Sequence, residues 1–246
     1  MTATPEATIR EIVATDYRTA AVFQRFGLDF CCGGCRTIGE ACREAPVDEA
    51  ALLRELDSVL QTPPAGVPRY DTWTARNLIA HIVHVHHAYV RQTLPLLVQH
   101  TAKIADVHGA RHPELSHIAG LFARVADEMT SHMAKEENIL FPVIAAIEDA
   151  ASSGRPAPQP PFGALGNPIA VMEAEHTFVG DAMAEIRHLT DGFTPPEDGC
   201  ATYRVCLQEL EAFERDLHDH VHLENNVLFP KAVALESGGV RCAYPE

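Results

Sequence analysis

His132-Met133-Ala134-Lys135-Glu136-Glu137-Asn138-Ile139-Leu140-Phe141-Pro142 is echoed 88 residues later by His220-Val221-His222-Leu223-Glu224-Asn225-Asn226-Val227-Leu228-Phe229-Pro230, with the same residue at six of eleven positions. Upstream of these copies, His87-Ala88-Tyr89-Val90 is matched by His176-Thr177-Phe178-Val179 at an offset of 89. The chain thus repeats a unit in which a helix bearing one histidine precedes a helix bearing His-x-x-x-Glu. Two such helical hairpins can bury their apolar faces together as a four-helix bundle.

Working outward, apolar residues from Trp73 onward recur at three and four, and no credible run alternates with period two. This pattern predicts an all-α domain. Its long helices are expected at about Thr74–Lys103, Glu114–Ala150, Pro168–Thr190 and Pro196–Leu235, each bounded by Pro, Gly or a capping residue. The Pro- and Gly-rich stretch Ser152–Asn167 separates the halves of the repeat. Before the bundle, Thr8–Phe26 and Val47–Leu60 read as short helices around a turn at Asp29–Gly34, where glycine permits positive φ. The expected organisation is a small helical domain over 1–62, a proline-rich linker over 63–72 and the bundle over 73–246.

Residues four apart on a helix stand one above the other, so His132 with Glu136, and His220 with Glu224, each present two metal-binding groups on one face. That face is apolar: Phe122, Val125, Met129 and Ile139 share the first stripe, and Leu210, Phe213, Leu217 and Val227 the second. His87 falls on the stripe of Val83, Val90 and Leu94, and His176 on that of Met172, Val179 and Met183. A carboxylate in a bundle core is costly unless paired or metal-bound, and here two arrive with four imidazoles. The expected ligand set is His87, His132, Glu136, His176, His220 and Glu224. It would hold two metal ions, with two terminal histidines each, two bridging carboxylates, a solvent bridge and an open position. Mixed imidazole and carboxylate donors suit iron, and manganese and zinc accept similar shells. A lone His-x-x-x-Glu is more often an exposed pair, and two copies on apolar seams reverse that reading. His86 competes with His87, but only His87 matches His176 in the repeat. His81 and His84 are expected near the centre or along a channel. His100, His108, His112, His117, His188, His218 and His222 are expected in solvent.

Composition narrows the remaining functions. A formal charge of −15 with no compensating Lys/Arg cluster excludes a nucleic-acid partner. No stretch approaches the roughly 18 apolar residues of a membrane span, and no secretory leader is evident, so a soluble cytoplasmic protein is expected. Seven cysteines, three of them in Cys31-Cys32-Gly33-Gly34-Cys35, suit thiol chemistry better than a disulfide framework. Backbone N–H groups at this turn can lower a thiol pKa, which marks Cys31 and Cys32 as candidate reactive thiols. Cys42, Cys200, Cys206 and Cys242 lack partner spacing and read as ordinary thiols.

Asp29-Phe30-Cys31-Cys32-Gly33-Gly34, the paired His/Glu helices ending in Leu-Phe-Pro, and Val171-Met172-Glu173-Ala174-Glu175-His176 together resemble the iron-sulfur cluster repair di-iron proteins, also called repair-of-iron-centres proteins. The resemblance covers nearly the whole chain. It implies a hemerythrin-like four-helix bundle with a small helical N-terminal domain and two non-haem iron ions, bridged by oxo or hydroxo and carboxylate groups. It further implies a bacterial cytoplasmic stress protein whose partners are damaged iron-sulfur proteins or scaffold proteins, to which it supplies iron. The ligands carried over match the six derived from the repeat. The family's adjacent cysteines fall on Cys31 and Cys32, and its acidic residue before the third-helix ligand falls on Glu175, with an outer-shell role. Cys35 departs from the family pattern and creates a Cys-x-x-Cys with Cys32. Two other functions remain open: reduction of nitric oxide at the metal pair, and reversible sensing of dioxygen or nitric oxide.

Overall fold

The computed structural model describes residues 2–62, 68–160 and 162–237. No strand forms among them, and extended pairing is limited to an isolated bridge between Thr8 and Thr37. The chain divides into two compact units, Met1–Leu78 with Val221–Glu246, and Ile79–His220. Residues 221–237 thus group with the N-terminal unit, whereas the sequence pattern assigns them to the bundle. Of the expected linker, residues 63–67 lie outside the described residues, as does Cys242.

The N-terminal unit holds α1 (Ile9–Thr15), α2 (Ala20–Arg25), α3 (Ile38–Glu44) and α4 (Glu49–Gln61). The single helix expected over Thr8–Phe26 is broken at Asp16, whose backbone is extended and whose carboxylate accepts from the Arg18 backbone N–H and guanidinium. An aspartate that bonds its own downstream backbone favours a cap over a continuous helix. Helix α3, which apolar periodicity did not reveal, opens on a capping box: Thr37 accepts from the Glu40 N–H, and Glu40 accepts from the Thr37 N–H. Thr8 and Glu11 do the same for α1. Each such cap contributes about 1 kcal/mol. The two capped starts lie side by side, with Ile9 N–H bonding Arg36 O and Ile38 N–H bonding Ala7 O. Ile9, Ile12, Phe23, Ile38, Leu52 and Leu56 form the core beneath them.

The second unit is the bundle. α6 (Ala88–His108), α7 (Glu114–Lys135), α9 (Gly166–Leu189) and α10 (Ala201–His222) are its long helices, with α8 (Phe141–Ser152) among them, while α5 (Ala75–His81) begins in the first unit. α6 runs five residues past the expected Lys103. α7 packs on α6 and α9. Phe122 and Phe213 meet edge to face at 5.4 Å between α7 and α10, and Arg187 pairs with Glu214 between α9 and α10. α10 continues through Leu223–Leu228 into α11 (Phe229–Glu236), which belongs to the first unit.

Three segments widen into π-helical turns: Ile82–His87, Glu136–Leu140 and Leu223–Leu228. Phe141 N–H bonds the carbonyl of Glu136, and Phe229 N–H that of Glu224, each five residues back. The prolines next in line account for the second and third: Pro142 and Pro230 have no N–H for the carbonyls of Asn138 and Asn226, and their rings would crowd those carbonyls in a regular helix. A widened turn absorbs one extra residue and rotates the helix beyond it. Ile139, expected on the buried stripe, is therefore 51% exposed, and Leu140 takes its place inside. The other expected stripe residues of α7 and α10 are buried, including Val125, Met129, Leu210 and Leu217. On the first helix Val83 is only half-buried.

Candidate metal centre

Five elements of the bundle unit bring five of the six expected ligands together. His87 closes the first π-turn, His132 lies in the last turn of α7, Glu136 opens the second π-turn, His176 is midway along α9 and His220 is near the end of α10. All five are buried. His87 Nε2 faces His220 Nε2 at 3.1 Å, and His132 Nε2 faces His176 Nε2 at 3.0 Å. Glu136 Oε2 lies 3.3 Å from the Nε2 atoms of both His87 and His132, so its carboxylate stands between the two imidazole pairs. Neither Glu136 oxygen has a hydrogen-bond partner among the described residues, and the residue has no solvent exposure. A carboxylate in that condition costs several kcal/mol unless a cation meets it. Two overlapping sets of donors, His87, Glu136 and His220, and His132, Glu136 and His176, each lie within 4.8 Å of one another. This is an arrangement for binding metal, and nitrogen and oxygen donors of this kind fit iron. Glu224, the sixth expected ligand, lies one turn past His220 on the continuing helix, inside the third π-turn, and is fully buried.

The outer nitrogens of two of these imidazoles are held as well. Glu137 Oε1 is 2.6 Å from His87 Nδ1 and also pairs with Arg91. Glu175 Oε2 is 2.9 Å from His132 Nδ1, while its other oxygen pairs with Lys135. Burial pushes both carboxylates up, but hydrogen bonds from His87 and Arg91 to Glu137, and from Lys135 and His132 to Glu175, outweigh it and leave both below the usual carboxylate range. An ionised carboxylate only accepts, so each Nδ1–H donates and each Nε2 lone pair is left facing the centre. This is how a metal-binding histidine is held in one tautomer and one orientation. Glu175 is thus placed against His132. Glu137, which sequence reasoning passed over, plays the equivalent part for His87. His86 is turned away: its Nδ1 is 2.9 Å from Asp216 Oδ1, and its ring stacks on His220 at 5.6 Å. Of the histidines expected near the centre, His81 is half-buried and His84 exposed.

Within the N-terminal unit the cysteine turn differs from expectation. The Asp29 carboxylate accepts from the backbone N–H groups of Cys31, Cys32 and Gly33 at 2.9, 3.0 and 2.8 Å. The donors expected to lower a thiol pKa are therefore already engaged, by a negative charge. Cys31 is buried, 3.8 Å from the Cys32 sulfur and 3.2 Å from Asp29 Oδ1. The hydrogen bond with Cys32, burial and the charge of Asp29 together push its thiol well above the ordinary range. Cys32 and Cys35 are both free thiols. Gly33 and Gly34 do not need positive φ; Gly27 does. A Cβ at Gly34 would instead lie 2.8 Å from Asn226 Oδ1, so this glycine is required for close approach.

The same turn is tied to the residues around Glu224. Asn225 Nδ2 donates to the Cys31 carbonyl at 3.1 Å, and Asn226 Nδ2 to the Phe30 carbonyl at 2.9 Å. Arg10 Nε donates to Asn226 Oδ1. His222, expected in solvent, is buried and stacks on Tyr17 at 4.7 Å; burial pushes its pKa down to about 3. His108 is likewise buried rather than solvated.

Comparison with known proteins agrees with this geometry. Residues 78–232 match the hemerythrin HHE cation binding domain, and residues 5–60 match ScdA_N, a domain of unknown function (DUF542). The iron-sulfur cluster repair protein YtfE of Yersinia pestis (strain Pestoides F) is 38% identical over 216 residues, covering 88% of this chain and 91% of the relative. YtfE of Yersinia pseudotuberculosis serotype O:1b (strain IP 31758) matches to the same extent. Two matched domains in one order and a relative aligned over nearly its full length place this chain in the family of YtfE-like iron-sulfur cluster repair proteins.

Proposed function

We propose that the chain holds two non-haem iron ions between His87, His132, Glu136, His176, His220 and Glu224, and that it repairs damaged iron-sulfur clusters by giving up that iron. The observation that carries this reading is Glu136: a fully buried carboxylate, without a hydrogen bond among the described residues, between two facing imidazole pairs. The repeat supports Glu224 as the second carboxylate, since it stands to His220 as Glu136 stands to His132 and occupies a π-turn of the same kind. Bound iron would supply Lewis acidity and one-electron chemistry. The chain's own residues orient and release it. Glu137 and Glu175 hold His87 and His132 with their lone pairs inward, and Arg91 and Lys135 offset the charge of those carboxylates.

A ligand set of imidazoles and carboxylates, without thiolates, suits release of iron to thiolate-rich acceptors, which bind it through softer sulfur donors. The acceptors are damaged iron-sulfur proteins or their scaffolds, in line with the repair role that the relatives' names give those proteins. No helix among the described residues is long and apolar enough to cross a membrane, and work on such clients would place the protein in the cytoplasm. The test is anaerobic: load the protein with isotopically labelled ferrous iron, mix it with an iron-sulfur enzyme damaged by nitric oxide, and follow label and activity. Label in a reactivated cluster is the expected result. Iron that stays bound while the enzyme remains inactive would overturn donation, and nitrous oxide release over many turnovers would establish a nitric oxide reductase instead.

A further inference from the structure

Three side chains of the N-terminal unit converge at the turn between α2 and α3. Cys31 Sγ lies 3.8 Å from Cys32 Sγ and 3.2 Å from Asp29 Oδ1. One ligand atom from each of Asp29, Cys31 and Cys32 falls within 4.8 Å of the other two. Two sulfurs bound to one tetrahedral ion at about 2.3 Å stand roughly 3.8 Å apart, so the Cys31–Cys32 separation is that of a shared cation. A carboxylate oxygen binds such an ion at about 2.1 Å, which keeps Asp29 Oδ1 within reach of the same centre. Cys35 is exposed and lies outside this group, although its spacing from Cys32 is the Cys-x-x-Cys pattern that thiolate metal sites often use.

The turn holds these atoms in place by itself. Asp29 accepts from three successive backbone N–H groups, those of Cys31, Cys32 and Gly33. The carbonyls of Phe30 and Gly34 accept from Asn226 Nδ2 and from the Arg10 N–H, at 2.9 and 2.8 Å. Cys31 is 8% exposed, Cys32 half-buried and Asp29 exposed, so the group is backed by protein on one side and open to an entering ion on the other. Without a cation its members oppose one another: the Cys32 sulfur, burial and the Asp29 charge keep the Cys31 thiol protonated. A bound cation reverses this, because it deprotonates a coordinating thiol and is favoured by the same negative neighbours. Sulfur donors select softer ions than the imidazoles and carboxylates of the bundle, zinc and cuprous copper among them.

We propose that Cys31, Cys32 and Asp29 form a second metal site, which takes one soft divalent cation of the zinc class through two thiolate sulfurs and one carboxylate oxygen. The two thiol protons leave to solvent, no sulfur changes oxidation state, and water fills the fourth corner of the tetrahedron. The assignment goes beyond iron donation and does not depend on it: the donors are of a different kind, and none of the six iron ligands takes part.

The experiment uses the reduced, iron-loaded, full-length protein. Zinc is added and iodoacetamide alkylation of each cysteine is read by peptide mass spectrometry; cadmium, titrated in place of zinc, reports sulfur ligation by its ultraviolet charge-transfer absorption. Zinc should slow alkylation of Cys32 by about tenfold or more while exposed Cys35 stays as reactive as before. Cys31→Ser and Cys32→Ser should each lower zinc affinity by more than the roughly 10–100-fold that loss of an outer-shell partner costs, and should weaken the cadmium absorption. Asp29→Asn should lower affinity but keep the absorption of two thiolates, and Cys35→Ser should change neither. Cadmium bound without sulfur absorption overturns the site. So does loss of binding in Cys35→Ser, or an unchanged affinity in Cys31→Ser. Absorption and protection read sulfur alone, so a failure of the iron reading would show separately, as zinc taken up by the bundle with neither signal.

Discussion

Neither Glu136 oxygen meets a hydrogen-bond donor among the described residues, and this makes a prediction about the metal-free protein. Glu136→Gln removes the charge while keeping the shape, and its amide can donate to a facing imidazole. We expect the variant to bind less iron and yet, stripped of metal, to be more stable than the stripped wild type by about 1–3 kcal/mol. Calorimetry on the two metal-free proteins checks this, and a lower melting temperature for the variant would contradict the reading of Glu136. At this scale the sequence was informative because the repeat compares each candidate with its counterpart: His87 is chosen over His86 by its match to His176. Glu137 was not legible. A carboxylate beside a ligand on a helix looks like a solvated charge, and only tertiary packing brings it to His87 Nδ1. The state of Cys31 was illegible for a related reason, since the decisive neighbour is a side chain, Asp29, that claims the backbone donors first.

Helix count and approximate extent were readable from three-four periodicity, whereas the π-turns were not. His-x-x-x-Glu is compatible with a regular helix throughout, and the trace of widening is the proline six residues after each glutamate. The consequence was a register error at Ile139, which the extra residue turns outward. Deleting Asn138 together with Pro142→Ala should convert Glu136–Leu140 to a regular helix while leaving Leu140 and Phe141 on the inner face. The variant is expected to keep its far-ultraviolet circular dichroism and to fold, but to retain less iron under dialysis. Unchanged iron retention would show that the widened turn is not needed to present Glu136. Helix α3 was missed although its Thr37-x-x-Glu40 capping box is visible, because a seven-residue helix is too short to display a period.

Over the whole molecule, the sequence pattern separates a cysteine-bearing domain from a bundle, while the fold assigns the end of the last helix to the former. Linear patterning shows where segments begin and end; it does not show which segment donates hydrogen bonds to which. Gly34 tests this grouping. Gly34→Ala would set a methyl group 2.8 Å from Asn226 Oδ1 and 3.1 Å from the Phe30 carbonyl, and should cost about 1–3 kcal/mol by overpacking. In an Asn226→Ala background, itself destabilised by the lost hydrogen bonds, Gly34→Ala should cost less in thermal denaturation than in the wild type, because the atom the methyl group meets is gone. Additive effects of the two substitutions would mean that the turn and the helix end are not in contact.

That helix end also bears on how such a chain can be rearranged by recombination. Val221 to Phe229 are all buried, and Asn225 and Asn226 spend their amides on the carbonyls of Cys31 and Phe30. A fragment begun after the proline-rich segment would carry these asparagines without their acceptors and the apolar residues around them without cover. Cutting there does not yield two self-sufficient modules. A shortened chain that keeps this helix end stable is expected to keep the cysteine turn with it.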